Sequence, residues 1–221
     1  MRTEGETTPE IRDAPSEASE VLVPEVHSFA LVPEGPLADL LAAQRARFDP
    51  VHVAVTVPHV TMKLACVLGE GLLATHEDLI TWLIQECRDQ RPFEVQLGEV
   101  GTFESCSGHG YVVYVAVCLT PSLVELHDRL VHGLARAGAK TAGLSIEQEV
   151  SMFFPHLTLA QGLSADAARE VLSIAKREHV ASAFVADRLV TARSVDGTRW
   201  EVIGSVRFSG EDGGRASSLR G

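Results

Sequence analysis

The sequence predicts an α+β fold of two pseudo-symmetric lobes, each with an antiparallel sheet and flanking helices, around a central cleft. Three observations support this prediction. The apolar residues alternate between a period of two and a period of 3.6, so strands and helices interleave along the chain. The order of strand, helix and paired two-strand ribbon occurs twice. A five-residue motif also recurs, once in each half.

The first half opens with a short apolar run, followed by a helical pattern bounded by Gly35–Pro36 and Pro50. Thr75 stands three residues before Asp78, which resembles a capping box and marks the start of a second helix. The predicted strands of this half are Val26–Pro33, His52–Val57, His59–Leu68, Phe93–Phe103 and Tyr111–Leu119, and the predicted helices are Pro36–Phe48, Thr75–Asp89 and Pro121–Ala137.

The second half repeats the order in fewer residues. Its predicted elements are a strand at His156–Gln161, a helix at Ala165–Arg177, and strands at Phe184–Val195 and Thr198–Phe208 joined around Asp196–Gly197. A chain of 221 residues has room for one large domain or two lobes that share a core. We therefore predict a single bilobal domain over residues 26–208.

The formal net charge of −11 is unevenly distributed. Residues 1–25 hold seven acidic and two basic residues without hydrophobic periodicity, which predicts a disordered acidic arm. Residues 209–221 are rich in Gly and Ser and predict a flexible tail. An acidic chain is unlike a general nucleic-acid clamp, which needs a basic footprint. Its charge is compatible with an enzyme that acts on a single nucleotide end.

No window approaches 18 consecutive apolar residues, and the acidic arm lacks the apolar segment of a secretory signal. The four cysteines form no CxxC pair, and three of them lie in apolar runs, which favours buried free thiols. We expect a soluble cytoplasmic protein without a membrane partner. The sequence leaves its oligomeric state open.

The recurring motif has the pattern Pro, His, apolar, Thr, apolar, and it occurs as Pro58–Met62 and as Pro155–Leu159. Successive side chains of a strand point to opposite faces, so the His and Thr of each copy share one face. Each copy then presents an imidazole and a hydroxyl about 6.6 Å apart along the strand. The apolar residues between and after them anchor the strand from behind.

A pseudo-two-fold arrangement of the lobes would bring both pairs across one cleft. The candidate site residues are then His59, Thr61, His156 and Thr158. Two imidazoles can transfer protons in both directions near neutral pH, because unperturbed histidine titrates near 6.5. The two hydroxyls can donate hydrogen bonds to phosphate oxygens as charge develops on them.

These paired motifs resemble the HxTx signatures of the two-histidine (2H) phosphoesterase superfamily, in particular its 2′-5′ RNA ligase-like branch. The resemblance extends over roughly residues 26–208 and includes a closing hairpin formed by Arg188–Arg193 and Trp200–Phe208. It implies metal-independent cleavage of 2′,3′-cyclic phosphodiesters to a 2′-phosphate, or of 2′-5′ linkages. It assigns catalysis to His59 and His156 and substrate-phosphate binding to Thr61 and Thr158.

Two positions after the motifs bear on substrate size. Lys63 lies two residues beyond Thr61, so simple alternation predicts that it shares the face of His59 and contacts phosphate. Gln161 stands where many relatives carry an arginine, and it cannot neutralise charge. We therefore expect a small cyclic nucleotide or an RNA terminus as substrate, with weak or no binding of long nucleic acid.

Other polar and aromatic residues have ordinary structural interpretations. His27 and His52 are predicted to be packed or surface residues, His109 an exposed loop residue, and Phe29 and Trp200 core residues rather than base-stacking ones. A zinc site would need a third ligand beside the two motif histidines, and no HExxH or CxxC supplies one. We expect no metal and no cofactor.

The predicted function is hydrolysis of a 2′,3′-cyclic phosphate by general acid–base catalysis with two histidines. Two enzymatic alternatives remain, a 2′-5′ RNA ligase and a 2′-5′ oligonucleotide phosphodiesterase. A nucleotide-binding module without turnover, or an interaction protein that recruits a partner through its acidic arm, would be alternatives from other classes.

Overall fold

In the computed structural model, the described residues are 25–52, 56–69, 72–105, 108, 110–141, 144–179, 181–196 and 199–210. Most of the predicted acidic arm and all but two residues of the predicted C-terminal tail lie outside these ranges. The described elements, in chain order, are β1 Val26–Leu31, α1 Gly35–Phe48, β2 Val60–Val67, α2 His76–Glu86, β3 Phe93–Glu104, β4 Tyr111–Val117, α3 Pro121–Arg136, β5 Lys140–Thr141, α4 Ile146–Ser151, β6 His156–Leu163, α5 Ala165–Glu178, β7 Ala183–Ala186, β8 Arg188–Ser194 and β9 Glu201–Arg207.

The strands form one antiparallel sheet in the order β7-β3-β4-β6-β2-β1-β8-β9, with β5 paired to β2. The two motif strands, β6 and β2, are neighbours in the middle, and each belongs to one half of the sheet. The α+β fold class predicted from the sequence is confirmed.

The halves of the sheet are not contiguous segments of the chain. The hairpin β3–β4, which follows the first motif strand, pairs with the second motif strand β6. The hairpin β8–β9, which follows the second motif strand, pairs with β1 beside β2. Each half therefore contains strands from both halves of the sequence. Unfolding of one half would expose apolar surface from both parts of the chain, which favours a single cooperative unit.

The helices cover one face of this sheet, and the other face stays open. α5 packs on β3 and β4, α3 packs on β2, and α2 packs on β9. Val60, Met62, Leu157 and Leu159 are fully buried on the covered face, as the alternation of the motifs predicts. The motif histidines and threonines are half-buried and face away from these apolar residues.

Local sequence signals account for the helix boundaries. The Thr75 hydroxyl accepts from the Asp78 amide, and the Asp78 carboxylate accepts from the Thr75 amide, which completes the predicted capping box of α2. The leucines of α3 recur at helical spacing, and Leu123, Leu126 and Leu130 are fully buried. None of the helices in the described ranges is long and apolar enough to cross a membrane.

Three predicted details differ from the structure. In the predicted strand His52–Val57, the described residues His52, Thr56 and Val57 are turn or coil, and 53–55 lie outside the described ranges. The predicted strand Phe184–Val195 is broken at Asp187, where the chain passes from β3 in one half of the sheet to β1 in the other. The short elements β5 and α4 were not predicted, since two and six residues carry too little periodicity.

Three cysteines are described, and none forms a disulfide. Cys66 and Cys87 are buried, whereas Cys118 is exposed, contrary to the expectation from its apolar neighbours. Cys118 follows the last residue of β4 and is therefore outside the packed part of the strand. Burial raises the pKa of both the Cys66 and the Cys87 thiol to about 11.

We expect Cys66 and Cys87 to resist thiol reagents in the native protein, because the thiolate is the reactive form. In a Cys106→Ser/Cys118→Ser variant, no thiol should react with an aromatic disulfide reagent at pH 8 until denaturant is added. Restoring Cys118 alone should restore one rapidly reacting thiol. Rapid modification of the native double variant would contradict the burial of these two residues.

Candidate active site

The two motifs meet where β2 and β6 pair. Val60 lies opposite Leu157, and the two strands run antiparallel. The residues that flank this pair therefore approach each other crosswise, His59 towards Thr158 and Thr61 towards His156. An approximate two-fold axis through the Val60–Leu157 pair relates the two motifs. The predicted convergence of both pairs is thus achieved within one sheet rather than by packing two separate sheets.

Both motif histidines are held by the same local hydrogen bond. Nδ1 of His59 lies 2.8 Å from the carbonyl oxygen of Val57, and Nδ1 of His156 lies 2.8 Å from that of Phe154. A carbonyl oxygen can only accept, so Nδ1 carries the hydrogen in each ring. The second nitrogen, Nε2, is then the atom of each ring that takes up or releases a proton.

The surroundings favour the neutral form of both rings. Burial lowers the pKa of His59, and the positive charges of Arg45 and His156 lower it further, against the opposing hydrogen bond to Val57. Burial also lowers the pKa of His156, against its hydrogen bond to Phe154. Two imidazoles that titrate below the ordinary value are suited to proton exchange with a bound anion, whose charge raises both pKa values again.

Thr61 and Thr158 complete the predicted set. Both are half-buried on strands whose neighbouring residues on either side are buried, so their hydroxyls share the face of the histidines. The structure therefore brings together four of the five predicted site residues, His59, Thr61, His156 and Thr158.

The fifth residue, Lys63, lies on the opposite face. In the pairing of β1 with β2, Thr61 lies opposite Ala30 but Lys63 lies opposite Phe29, so β2 carries one extra residue at this point. Such a bulge interrupts the alternation of faces and turns Lys63 to the covered side, where Phe29 is fully buried. The prediction from simple alternation does not hold here.

The ammonium of Lys63 forms a buried ion pair. Its Nζ lies 2.9 Å from Oε2 of Glu149, and the two side chains are 1% and 3% exposed. Glu149 belongs to α4, the short helix that precedes the second motif. This ion pair joins the first motif strand to the segment that leads into the second.

His127 of α3 strengthens the same connection, and sequence reasoning missed it. Its Nδ1 lies 2.6 Å from the Met62 carbonyl oxygen and its Nε2 lies 3.3 Å from the Glu149 carbonyl oxygen. Its ring stacks on Phe153 with the centroids 3.7 Å apart. The signal in the sequence was a histidine within the buried leucine stripe of α3, where a polar residue needs partners.

A second connection, at the end of α1, was also missed. Nη1 of Arg45 donates to the carbonyl and the hydroxyl of Thr56, three residues before His59, at 2.9 and 3.2 Å. Oδ2 of Asp49 accepts from the backbone N–H of Gln161 on β6 at 3.1 Å. Arg45 and Asp49 are both buried. One helix end therefore positions the segment before the first histidine and the strand after the second.

The other residues considered in the sequence analysis lie outside the group formed by the two motifs. His27 is buried, with its Nε2 3.3 Å from Oε1 of Glu25. Nδ1 of His52 lies 2.7 Å from Oδ1 of Asp49. Phe29 is in the core and Trp200 is half-buried, whereas His109 lies outside the described residues. In the described part of the chain, no cluster of three or more His, Cys, Asp or Glu residues could hold a metal ion.

The buried ion pair leads to a prediction about stability. Replacing one partner, as in Lys63→Met or Glu149→Gln, should lower the free energy of unfolding by about 3–5 kcal/mol, because it leaves a buried charge without compensation. The Lys63→Met/Glu149→Leu double variant should recover much of this loss. Urea unfolding of the three variants measures both effects.

The exposed ion pair between Arg47 and Glu178 provides the matched control. Its side chains are 55% and 41% exposed, so Arg47→Met should change the free energy of unfolding by about 0–1 kcal/mol. If Lys63→Met changed the free energy of unfolding as little as this control, the Lys63–Glu149 ion pair would not stabilise the fold as a buried charge pair.

Comparison with known proteins identifies the family. The model of the 2′-5′ RNA ligase superfamily matches residues 33–198. The Halalkalibacterium halodurans protein named "Putative phosphoesterase BH1439" is 26% identical over 186 residues, which cover 84% of this chain and 99% of the relative. A similarly named protein of Bacillus cereus strain G9842 is 30% identical over 136 residues, which cover 62% of this chain and 69% of the relative.

Solved structures share the fold. The crystal structure of the Thermus thermophilus protein TT0787 superposes with a TM-score of 0.53 at 17% identity, covering 84% of this chain and 99% of that one. The crystal structure of E. coli LigT complexed with 3′-AMP gives a TM-score of 0.50 at 16% identity, covering 85% and 99%. Because the family model spans most of the chain, including both histidine motifs, the protein belongs to the 2′-5′ RNA ligase superfamily of 2H phosphoesterases.

Proposed function

We propose that the protein hydrolyses a 2′,3′-cyclic phosphodiester to a 2′-phosphate without a metal ion, with His59 and His156 as general base and general acid. The observation that carries this proposal is the crossed arrangement of the motifs about the Val60–Leu157 pair. In this arrangement two imidazoles, each held at Nδ1 by a carbonyl oxygen, and two hydroxyls share the open face of one sheet.

In the proposed reaction, a water molecule attacks the phosphorus atom while one neutral imidazole accepts its proton at Nε2. The bond between phosphorus and O3′ breaks, and the other, protonated imidazole donates its Nε2 hydrogen to O3′. The phosphate stays on O2′. The two histidines end with exchanged protonation states, which proton exchange with solvent resets. The hydroxyls of Thr61 and Thr158 donate to the non-bridging oxygens, where charge develops.

The two histidines are interchangeable in this scheme. Burial lowers the pKa of both, and the positive charge of Arg45 lowers the pKa of His59 further. Either imidazole can therefore serve as the base while the other, protonated, serves as the acid.

The substrate is a small nucleotide or an RNA end. The chain is acidic overall, and Gln161, which lies three residues beyond Thr158, is exposed and uncharged. Both features disfavour the counterion release on which binding of long nucleic acid depends. Among relatives in fold, LigT has been crystallised with the mononucleotide 3′-AMP. The family name also refers to 2′-5′ ligation, so product analysis with 2′-5′ oligoadenylate tests that alternative.

We expect His59→Ala and His156→Ala each to lower kcat for a 2′,3′-cyclic mononucleotide by at least about 10²-fold, because each removes one proton transfer. The double variant should be inactive, and the wild-type rate should be unchanged by EDTA. Far-ultraviolet circular dichroism shows whether the variants are folded. A double variant that retains turnover, or a wild type that EDTA inactivates, would refute the proposal.

The pKa directions predict the pH dependence. The ratio kcat/KM reports the free enzyme, in which both histidines titrate below 6.5, so its bell-shaped profile should have an optimum below pH 6.5. The value of kcat reports the complex, where the substrate phosphate raises both pKa values, so its profile should lie at higher pH. Initial rates between pH 4.5 and 9 measure both profiles. A kcat/KM optimum above pH 6.5, or a kcat profile at lower pH than that of kcat/KM, would contradict the prediction.

A further inference from the structure

Three aromatic rings surround His156 on the open face of the sheet. The ring centroids of Phe103, Tyr114 and Phe154 lie 5.4, 5.5 and 5.7 Å from that of His156. Tyr114 also contacts Phe103 and Phe154, each with the centroids 5.3 Å apart. With His156 they form one continuous cluster, and we call Phe103, Tyr114 and Phe154 the aromatic wall.

The register of the strands builds this wall. Tyr114 of β4 lies opposite Thr158 of β6, and Ala116 lies opposite His156, so Tyr114 and Ala116 share the face of the motif. Gly101 of β3 lies opposite Tyr114. A Cβ atom at Gly101 would overlap the Tyr114 hydroxyl, so the glycine lets the tyrosine ring lie across β3. The small Ala116 keeps the space beside His156 open.

Phe154 is the accessible part of the wall. It is 51% exposed, although its carbonyl oxygen holds Nδ1 of His156. A ring packed only to support the histidine would be covered. An aromatic ring that is half in solvent at the edge of an active site offers a flat apolar surface on which a planar ligand can stack.

The wall is present on one side of the pseudo-two-fold axis. The position related to Phe154 is Val57, which is 52% exposed and whose carbonyl holds His59 in the same way. Within the described ranges, no aromatic ring contacts His59 as these three contact His156. The residue that lies opposite Thr61 on β1 is Ala30, where the other half has Tyr114 opposite Thr158. The symmetry of the catalytic groups is thus broken by the aromatic wall.

We infer that the aromatic wall is a nucleobase-binding site, which stacks the base of the substrate on the His156 side of the cleft. This inference rests on the proposed function and locates where the base of its nucleotide substrate binds. Stacking uses the π-face that all bases share, so discrimination among the four bases should be weak.

A comparison of two substrates isolates this role. One is adenosine 2′,3′-cyclic phosphate, and the other is the 2,3-cyclic phosphate of methyl β-ribofuranoside, which has no base. Stacking contributes about 1–3 kcal/mol per base, which corresponds to about 5- to 150-fold in kcat/KM. Phe154→Ala should lower kcat/KM for the nucleotide by that factor and leave the base-free substrate within about twofold. Phe154→Trp should retain nucleotide activity.

Two further variants guard against a purely structural effect. Gly101→Ala removes no aromatic group but displaces Tyr114, so it should also reduce the preference for the nucleotide. Val185→Ala, on β7 away from the site, truncates a side chain that is 63% exposed. It should change kcat/KM for neither substrate. If Phe154→Ala lowered kcat/KM for both substrates equally, the wall would serve to position His156, and the inference would be wrong. The inference would also be wrong if Phe154→Ala left the ratio of kcat/KM for the nucleotide to that for the base-free substrate unchanged.

Binding measurements separate this inference from the proposed hydrolysis. If the wild type hydrolysed neither substrate, the proposed function would fail, and calorimetric titration with 2′-AMP and with the 2-phosphate of methyl β-ribofuranoside would still test the wall. Tighter binding of 2′-AMP that Phe154→Ala abolishes would support a nucleobase site without turnover. If the wild type bound both ligands equally tightly, the aromatic wall would not be a nucleobase-binding site.

Discussion

The pairing of Val60 with Leu157 is the contact on which the site depends, since it sets the two motif strands side by side and crosses their histidines and threonines. Because this pairing is short, other groups must hold the two strands at the same distance. Asp49 reaches β6 from α1, Arg45 holds the segment before His59, and Lys63 reaches Glu149 beneath the sheet. All of these contacts lie behind or beside the open face. The open face, which holds the candidate site, can therefore remain accessible while the supporting contacts are buried.

The buried support also explains why a charged network lies under an otherwise apolar sheet. The Lys63–Glu149 ion pair and the hydrogen bonds of His127 join β2, α3 and α4, which are distant in sequence. A hydrophobic contact would bind these elements but would tolerate small displacements, whereas a buried polar group must meet its partner at hydrogen-bond distance. The network thus constrains how α4 leads into the second motif, and so where His156 begins its strand.

The sequence predicted the parts of this arrangement that follow from local periodicity. The alternation within each motif placed His59 and Thr61 on one face, and duplication of the motif indicated a shared site. Lys63 was misplaced because the bulge in β2 depends on its partner strand β1, which no local pattern records. The aromatic wall was not foreseen, because Phe103 and Tyr114 lie in different predicted strands and resembled ordinary strand residues. The pairing of β3–β4 with β6 was equally hidden, since periodicity identifies strands but not their neighbours.

The proposed nucleobase site would reconcile an acidic chain with an anionic substrate. With a net charge of −11, the protein does not attract a phosphate over long range. Lys63, the nearest basic residue in the motifs, is committed to Glu149 on the covered face. In the proposed reaction, the phosphate then meets one protonated imidazole and two threonine hydroxyls, and the base meets the uncharged rings of the aromatic wall. Contacts of this kind act at short range, so they select a single nucleotide end and gain nothing from further phosphates along a strand.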